Sequence, residues 1–304
     1  MTVLKFNLVV FFLSLSVLRG AVVGVITDGA DDWHFEERTV LFQEELAGLL
    51  EDQKAPEFRV FDGGWTSEGI EEALRRALAD DDVEVIYTAG AVASMQARAL
   101  PETARTKPVL GGAVIYSQSA EYPITADGTS SIVNFTYISS PTRVADDLAL
   151  LARLRPAKVL YVLIDGLMLP HLPNREENQR GFEERMGVSL RFIEGGDTVA
   201  SYLDRLPAGA ESVYLSLLGR LNPEKRKALY AGLQERKVVS VAMAGERDVE
   251  SGALAGLSGN EDGAVARRLA LSVYHLLRGG DTGDLQVSLP IEDRLVLDLS
   301  VGEK

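Results

Sequence analysis

The chain has 304 residues, enough for one large or two medium domains, and its 46% hydrophobic and 25% charged content is that of a globular protein rather than a disordered one. A formal charge of −14, with no Lys/Arg cluster against it, excludes nucleic acid as a natural partner. The absence of cysteine excludes disulfides, thiolate metal sites, a Cys nucleophile and a lipid anchor built on Cys.

Residues 1–20 stand apart. Lys5 precedes the apolar run Leu8–Leu18, too short to span a bilayer comfortably, which reads as a secretory signal peptide. Arg19 between Leu18 and Gly20 makes a poor cleavage site, and a retained anchor or a buried first strand are the other readings. A signal peptide places the mature protein in the periplasm or otherwise outside the cytoplasm.

Ala21–Thr27 follows as a buried strand ending at Asp28-Gly29. Asp31-Asp32-Trp33 leads into a helix with Phe35, Thr39, Phe42, Leu46 and Leu49 on one face. Phe58–Phe61 reads as a second strand, and Thr66 or Ser67 caps a helix carrying Ile70, Leu74 and Leu78. Val83–Tyr87 is a third, buried strand. Thr88 is placed to cap the next helix, and Gly90 lets the backbone approach another group. The amides of Ala91, Val92 and Ala93 then point out of the carboxyl end of the sheet, where an anion or carboxylate is favoured. Val109–Ile115 is the fourth strand.

Gly128–Pro141 has no helical pattern, is β-rich over Ser131–Tyr137, and reads as the passage out of a first lobe, with Tyr137 and Ser139 near a hinge. Pro141–Leu154 is a helix, Val159–Ile164 a strand, Asn174–Met186 a helix ending near Gly187, Leu190–Ile193 a strand and Val199–Leu206 a short helix. Val213–Leu217 is a strand, Pro223–Glu235 a helix with Pro at its start, and Val238–Met243 a strand. Gly252–Leu257 precedes a helix at Ala264–Leu277, expected to pack back on the first lobe, and Arg294–Leu299 is a last strand. Strands alternating with helices define an α/β fold of two Rossmann-like doubly wound units with mostly parallel sheets.

Several chemistries find no motif. Gly111-Gly112 and Gly195-Gly196 lack phosphate-cradling spacing, no GxSxG elbow occurs, and His34, His171 and His275 form no metal-ligand pattern. Asp28, Asp165 and Glu246 each follow a strand and could converge as carboxylates in a cleft, although their spacing does not require it. No catalytic residue, metal or cofactor is assigned, and the chain is not read as an enzyme.

Three phrases carry a resemblance: DVEVIYTAGAVAS at Asp82–Ser94, LLARLRPAKVLYVLID at Leu150–Asp165, and VESGALAGLSGNEDGAVARRLALSVYHLLRGGDTGDLQV at Val249–Val287. In order and spacing they resemble the periplasmic substrate-binding proteins of ABC transporters with the type I fold, in the tryptophan/tyrosine-type branch. The family's TGTPAA turn is here Thr88 to Ala93, with the glycine displaced and the proline replaced. The family's chain runs past the last strand into a short helix, whereas this sequence ends at Lys304, as a piece of a longer chain would.

The resemblance implies a clamshell with a three-crossing hinge: lobe 1 from residues 21–138 and 259–284, lobe 2 from 139–258 and 285–304. It implies a small molecule, amino-acid-like first of all, captured between the lobes for a membrane permease. The other reading is a ligand-sensing or protein-interaction module of the same fold, with diverged ligand loops, associated with or fused to an envelope or membrane protein. Candidate ligand contacts are Asp28, Gly29, Trp33, Gly90, Ala91, Val92 and Tyr116 from lobe 1, and Asp165, Gly166, Gly219, Arg220 and Glu246 from lobe 2. Trp33 offers a stacking face, and Arg220 a bidentate partner for a ligand carboxylate.

Overall fold

A computed structural model describes residues 20–30, 33–50, 55–115, 117, 121–139, 144–258, 262–289 and 294–302, and the side chains of 33–37 and 258 lie outside that description. The proposed signal segment, Tyr116 and the Trp33 side chain therefore lie outside the described residues.

The first sheet is parallel, with strands β1 (Val22–Thr27), β2 (Glu57–Asp62), β3 (Val83–Thr88), β4 (Val109–Val114) and β5 (Phe135–Ser139) in the order β2-β1-β3-β4-β5. Side chains alternate along each strand. Val22 and Ile26 face helices α2 (Ser67–Ala79) and α3 (Ala91–Ala99). Val23 and Val25 face α1 (Trp33–Leu49) and α9 (Asp262–Leu277), where Phe42 lies 4.9 Å from the Tyr87 ring. Phe42 is fully buried there, so Phe42→Ala costs about 3–5 kcal/mol. Thr66 caps α2, its hydroxyl accepting the Gly69 amide at 3.0 Å.

The second sheet has the order β11-β10-β9-β8-β6-β7. Its parallel strands are β6 (Val159–Asp165), β7 (Ser189–Gly195), β8 (Ser212–Leu215), β9 (Val239–Ala242) and β10 (Ala255–Ser258), and β11 (Arg294–Leu297) runs antiparallel to β10 at one edge. The helices are α4 (Val144–Leu154), α5 (Arg175–Met186), α6 (Ala200–Leu203), α7 (Pro223–Glu235), α8 (Glu246–Glu250) and α10 (Leu299–Gly302). Asn222 caps α7 through the Lys225 amide, and Gly187 ends α5 in the left-handed conformation. The chain passes between the sheets after β5, after β10 and before β11.

The structure adds two strands to the expected elements and shortens one helix. The stretch before α9 includes a strand, β10, which central pairing makes extended although its sequence AGLS carries little β-propensity. The passage out of the first lobe contains β5, a fifth parallel strand: Tyr137 packs on Tyr122 at 4.9 Å, and Ser139 bridges to Ser288. The helix expected over 199–206 is one turn, Ala200–Leu203.

Candidate functional site

The carboxyl ends of β1, β3 and β4 face those of β6 and β8. One apolar cluster crosses between them, joining Ala91, Val92, Val114 and Tyr122 to Ile164, Met168, Leu169 and Leu217. Within this frame most of the polar groups expected to meet a ligand meet each other.

Asp28, at the end of β1, is buried and accepts the Val92 amide at 2.9 Å and the Ala93 amide at 2.8 Å, at the start of α3. Free amides and the helix dipole suit a carboxylate there, and the chain supplies its own. Burial nevertheless pushes the Asp28 carboxyl up to about 6; the Val92, Ala93 and Ala91 amides oppose this and the charge of Asp165 adds to it. Gly90 makes the approach possible, because a Cβ there would lie 2.1 Å from Asp28 Oδ1 and 2.6 Å from its backbone nitrogen. Thr88 is not the helix cap: Gly90 holds that position, and the Thr88 hydroxyl bonds the Ser94 hydroxyl at 2.8 Å.

Asp165 ends β6 and is buried. Arg220 donates to it through Nη2 at 2.6 Å and Nε at 2.8 Å, and the pairing holds the guanidinium pKa above its usual value. The bidentate contact anticipated for Arg220 is thus made to a carboxylate of its own lobe. Gly166 donates its amide to Gly195 O at 2.9 Å, and Arg220 reaches the same carbonyl at 3.3 Å. Gly219 immediately precedes Arg220 and is partly exposed. Glu246 does not converge with Asp28 and Asp165; Arg294 on β11 draws it into an exposed ion pair at the sheet edge.

Gly29 lies under the indole of Trp65, since a Cβ on it would fall 2.3 Å from that ring. Trp65 donates its amide to Asp28 O at 2.8 Å and its indole N–H to Ala30 O at 3.1 Å. The aromatic wall of this corner includes a residue that sequence reasoning passed over, and its only signal was the Gly63-Gly64 turn before it.

Between the lobes lies a cavity of about 300 Å³, lined among others by Met95, Gln96, Arg98 and Tyr122 from the first lobe and His171 and Pro173 from the second. The Arg98 guanidinium sits 4.5 Å over the Tyr122 ring. Gln96 donates to the Ser67 hydroxyl at 2.8 Å, and that hydroxyl lies 3.4 Å from His171 Nε2, so a polar chain crosses the cleft. Burial lowers the His171 pKa and favours the neutral ring. Arg98, Tyr122 and His171 were not singled out as contacts, because neither Arg98 nor Tyr122 ends a strand and His171 belongs to no metal pattern.

No family model and no curated protein matches the chain. Solved structures do. A conserved domain protein from Vibrio cholerae is similar at a TM-score of 0.74 and 16% identity, over 94% of both chains. An ABC domain from Streptococcus pneumoniae, solved with L-Trp, is similar at a TM-score of 0.72 and 12% identity, over 94% of both chains. A leucine-binding protein from Thermotoga maritima is similar at 0.58 and 10% identity, over 88% of this chain and 86% of that one. The chain therefore has the two-lobed type I periplasmic-binding-protein fold, the fold of ABC solute-binding proteins. Those named for a ligand are binding proteins for small molecules. Among the described residues, no helix is long and apolar enough to cross a membrane.

Proposed function

We propose that the protein is an extracytoplasmic solute-binding protein. Residues 1–20 serve as its export signal, and lobes formed by 21–138 with 259–284 and by 139–258 with 285–304 close on a small molecule for an ABC-type permease. The observation that carries this is the cavity of about 300 Å³ walled by both lobes, because a solute there ties its binding energy to closure. Arg98 suits a carboxylate, and Met95 and Tyr122 suit an apolar body, which favours an amino-acid-like ligand. No catalytic residue, metal or cofactor is part of this reading.

A thermal-shift screen with amino acids, sugars, nucleosides and short peptides tests it. A ligand of the folded state stabilises by about 2.7 kcal/mol at a hundredfold excess over its Kd, and Arg98→Ala should abolish the shift. A stable protein with no hit supports the second reading, a sensing or interaction module beside an envelope protein. What favours that reading is the pairing of Asp28 with the α3 amides and of Asp165 with Arg220, which occupies groups a solute carboxylate would need.

A further inference from the structure

The second lobe has a cavity of its own, about 270 Å³, between its sheet and the α4–α5 pair. Its origin is a packing mismatch. α4 lies over β8 and β9 and α5 over β7, while β6 runs between β7 and β8 and turns Val162 and Ile164 into the gap. Leu190, Phe192 and Tyr214 complete an apolar floor, and Leu148 of α4 faces it.

The roof has the opposite character. Arg175, Asn178, Gln179, Phe182 and Arg185 follow helical spacing along α5 and all line the cavity. A helix covering an apolar sheet normally turns an apolar stripe inward; here only Phe182 is both apolar and buried. Asn178 and Gln179 are engaged, donating to Pro173 O and Leu190 O at 3.0 and 3.2 Å. The guanidinium groups of Arg175 and Arg185 make no hydrogen bond or ion pair among the described residues, although the chain has 45 acidic residues against 31 basic ones to offer them partners. An apolar floor beneath two uncommitted guanidiniums at the rim matches an amphiphile with a negative head.

We propose that this cavity binds a single-chain amphiphilic anion of the fatty-carboxylate class, its alkyl chain on Val162, Ile164 and Phe192 and its carboxylate at Arg175 or Arg185. The site is separate from the cleft between the lobes and shares Pro173 with it as a wall. Decanoate and decan-1-ol, titrated calorimetrically into the protein, are the probes. The expected result is saturable 1:1 binding of decanoate, weakened about tenfold by the double substitution Arg175→Gln and Arg185→Gln, with decan-1-ol unaffected. Ala145→Phe, at an exposed rim position, should weaken both probes, and Arg98→Ala in the cleft should weaken neither. Absence of saturable binding, full decanoate affinity in the double variant, or loss of binding with Arg98→Ala overturns the proposal. The last outcome would place the amphiphile in the cleft and leave the solute-binding reading intact.

Discussion

Asp28 stands 64 positions before Val92 in sequence, yet its carboxylate accepts the Val92 amide at 2.9 Å and so joins the end of β1 to the start of α3. Its pKa, about 6, lies above the ordinary 3.8 that it regains on unfolding. The folded state therefore holds this proton more tightly, and stability should rise as pH falls from 7 toward 4, by at most about 3 kcal/mol. Subtracting the unfolding midpoint of Asp28→Asn at each pH isolates the effect. A difference that stays flat between pH 7 and pH 4.5 would show that Asp28 titrates normally.

Gly90 offers a steric test of the same junction. Gly90→Ala places a Cβ against the Asp28 carboxylate and backbone, and should cost about 1–3 kcal/mol by urea unfolding. Gly48→Ala on α1 meets no atom within 4 Å and should be neutral or stabilise by up to about 1 kcal/mol. Equal effects at the two sites would refute the account of Gly90.

Across the cleft, Arg220 is the partner of a buried carboxylate while its own side chain remains about a quarter exposed, with relative exposures of 24% for Arg220 and 3% for Asp165. Arg220→Ala should cost about 1.5–3 kcal/mol, since Asp165 is left buried without its cation. Arg220→Ala combined with Asp165→Asn should recover part of that loss. Equilibrium denaturation of the wild type, the two single variants and the double variant measures the coupling.

Behind this loop, Arg226 and Asp248 form a 2.7 Å ion pair at 1% and 0% exposure, and Arg226 also donates to the carbonyls of Leu218 and Leu221. The pair ties α7 to α8 and holds the turn that presents Gly219 and Arg220. Asp248→Ala should cost about 3–5 kcal/mol, and the double change Arg226→Met with Asp248→Leu should cost far less. A double variant as unstable as the single one would show that the turn contacts, rather than the charge pair, dominate.

Most strands were legible because each is a short β-rich run bounded by Gly, Pro or Asp, as at Val22–Thr27 and Val83–Thr88. β10 was not: Ala255–Ser258 is extended because β9 and β11 flank it. At the site, Asp28, Gly90–Val92, Asp165 and Arg220 were legible as strand-end groups, and they do gather. Their partners were not legible, since Asp165 and Arg220 lie 55 positions apart and no local pattern tells a carboxylate that meets a ligand from one that meets its own chain.

The pairing of α1 with α9 also governs the order of folding. Val265, Leu269 and Val273 of α9 cover Phe42 and Leu46 of α1 and Val25 of β1, residues made more than 200 positions earlier. The second sheet is likewise finished late, when β11 joins β10. A ribosome could release strands β1 to β5 long before the helix that shields one face of their sheet exists. Contacts this distant slow folding, and one face of the first sheet keeps its apolar surface bare until α9 is in place.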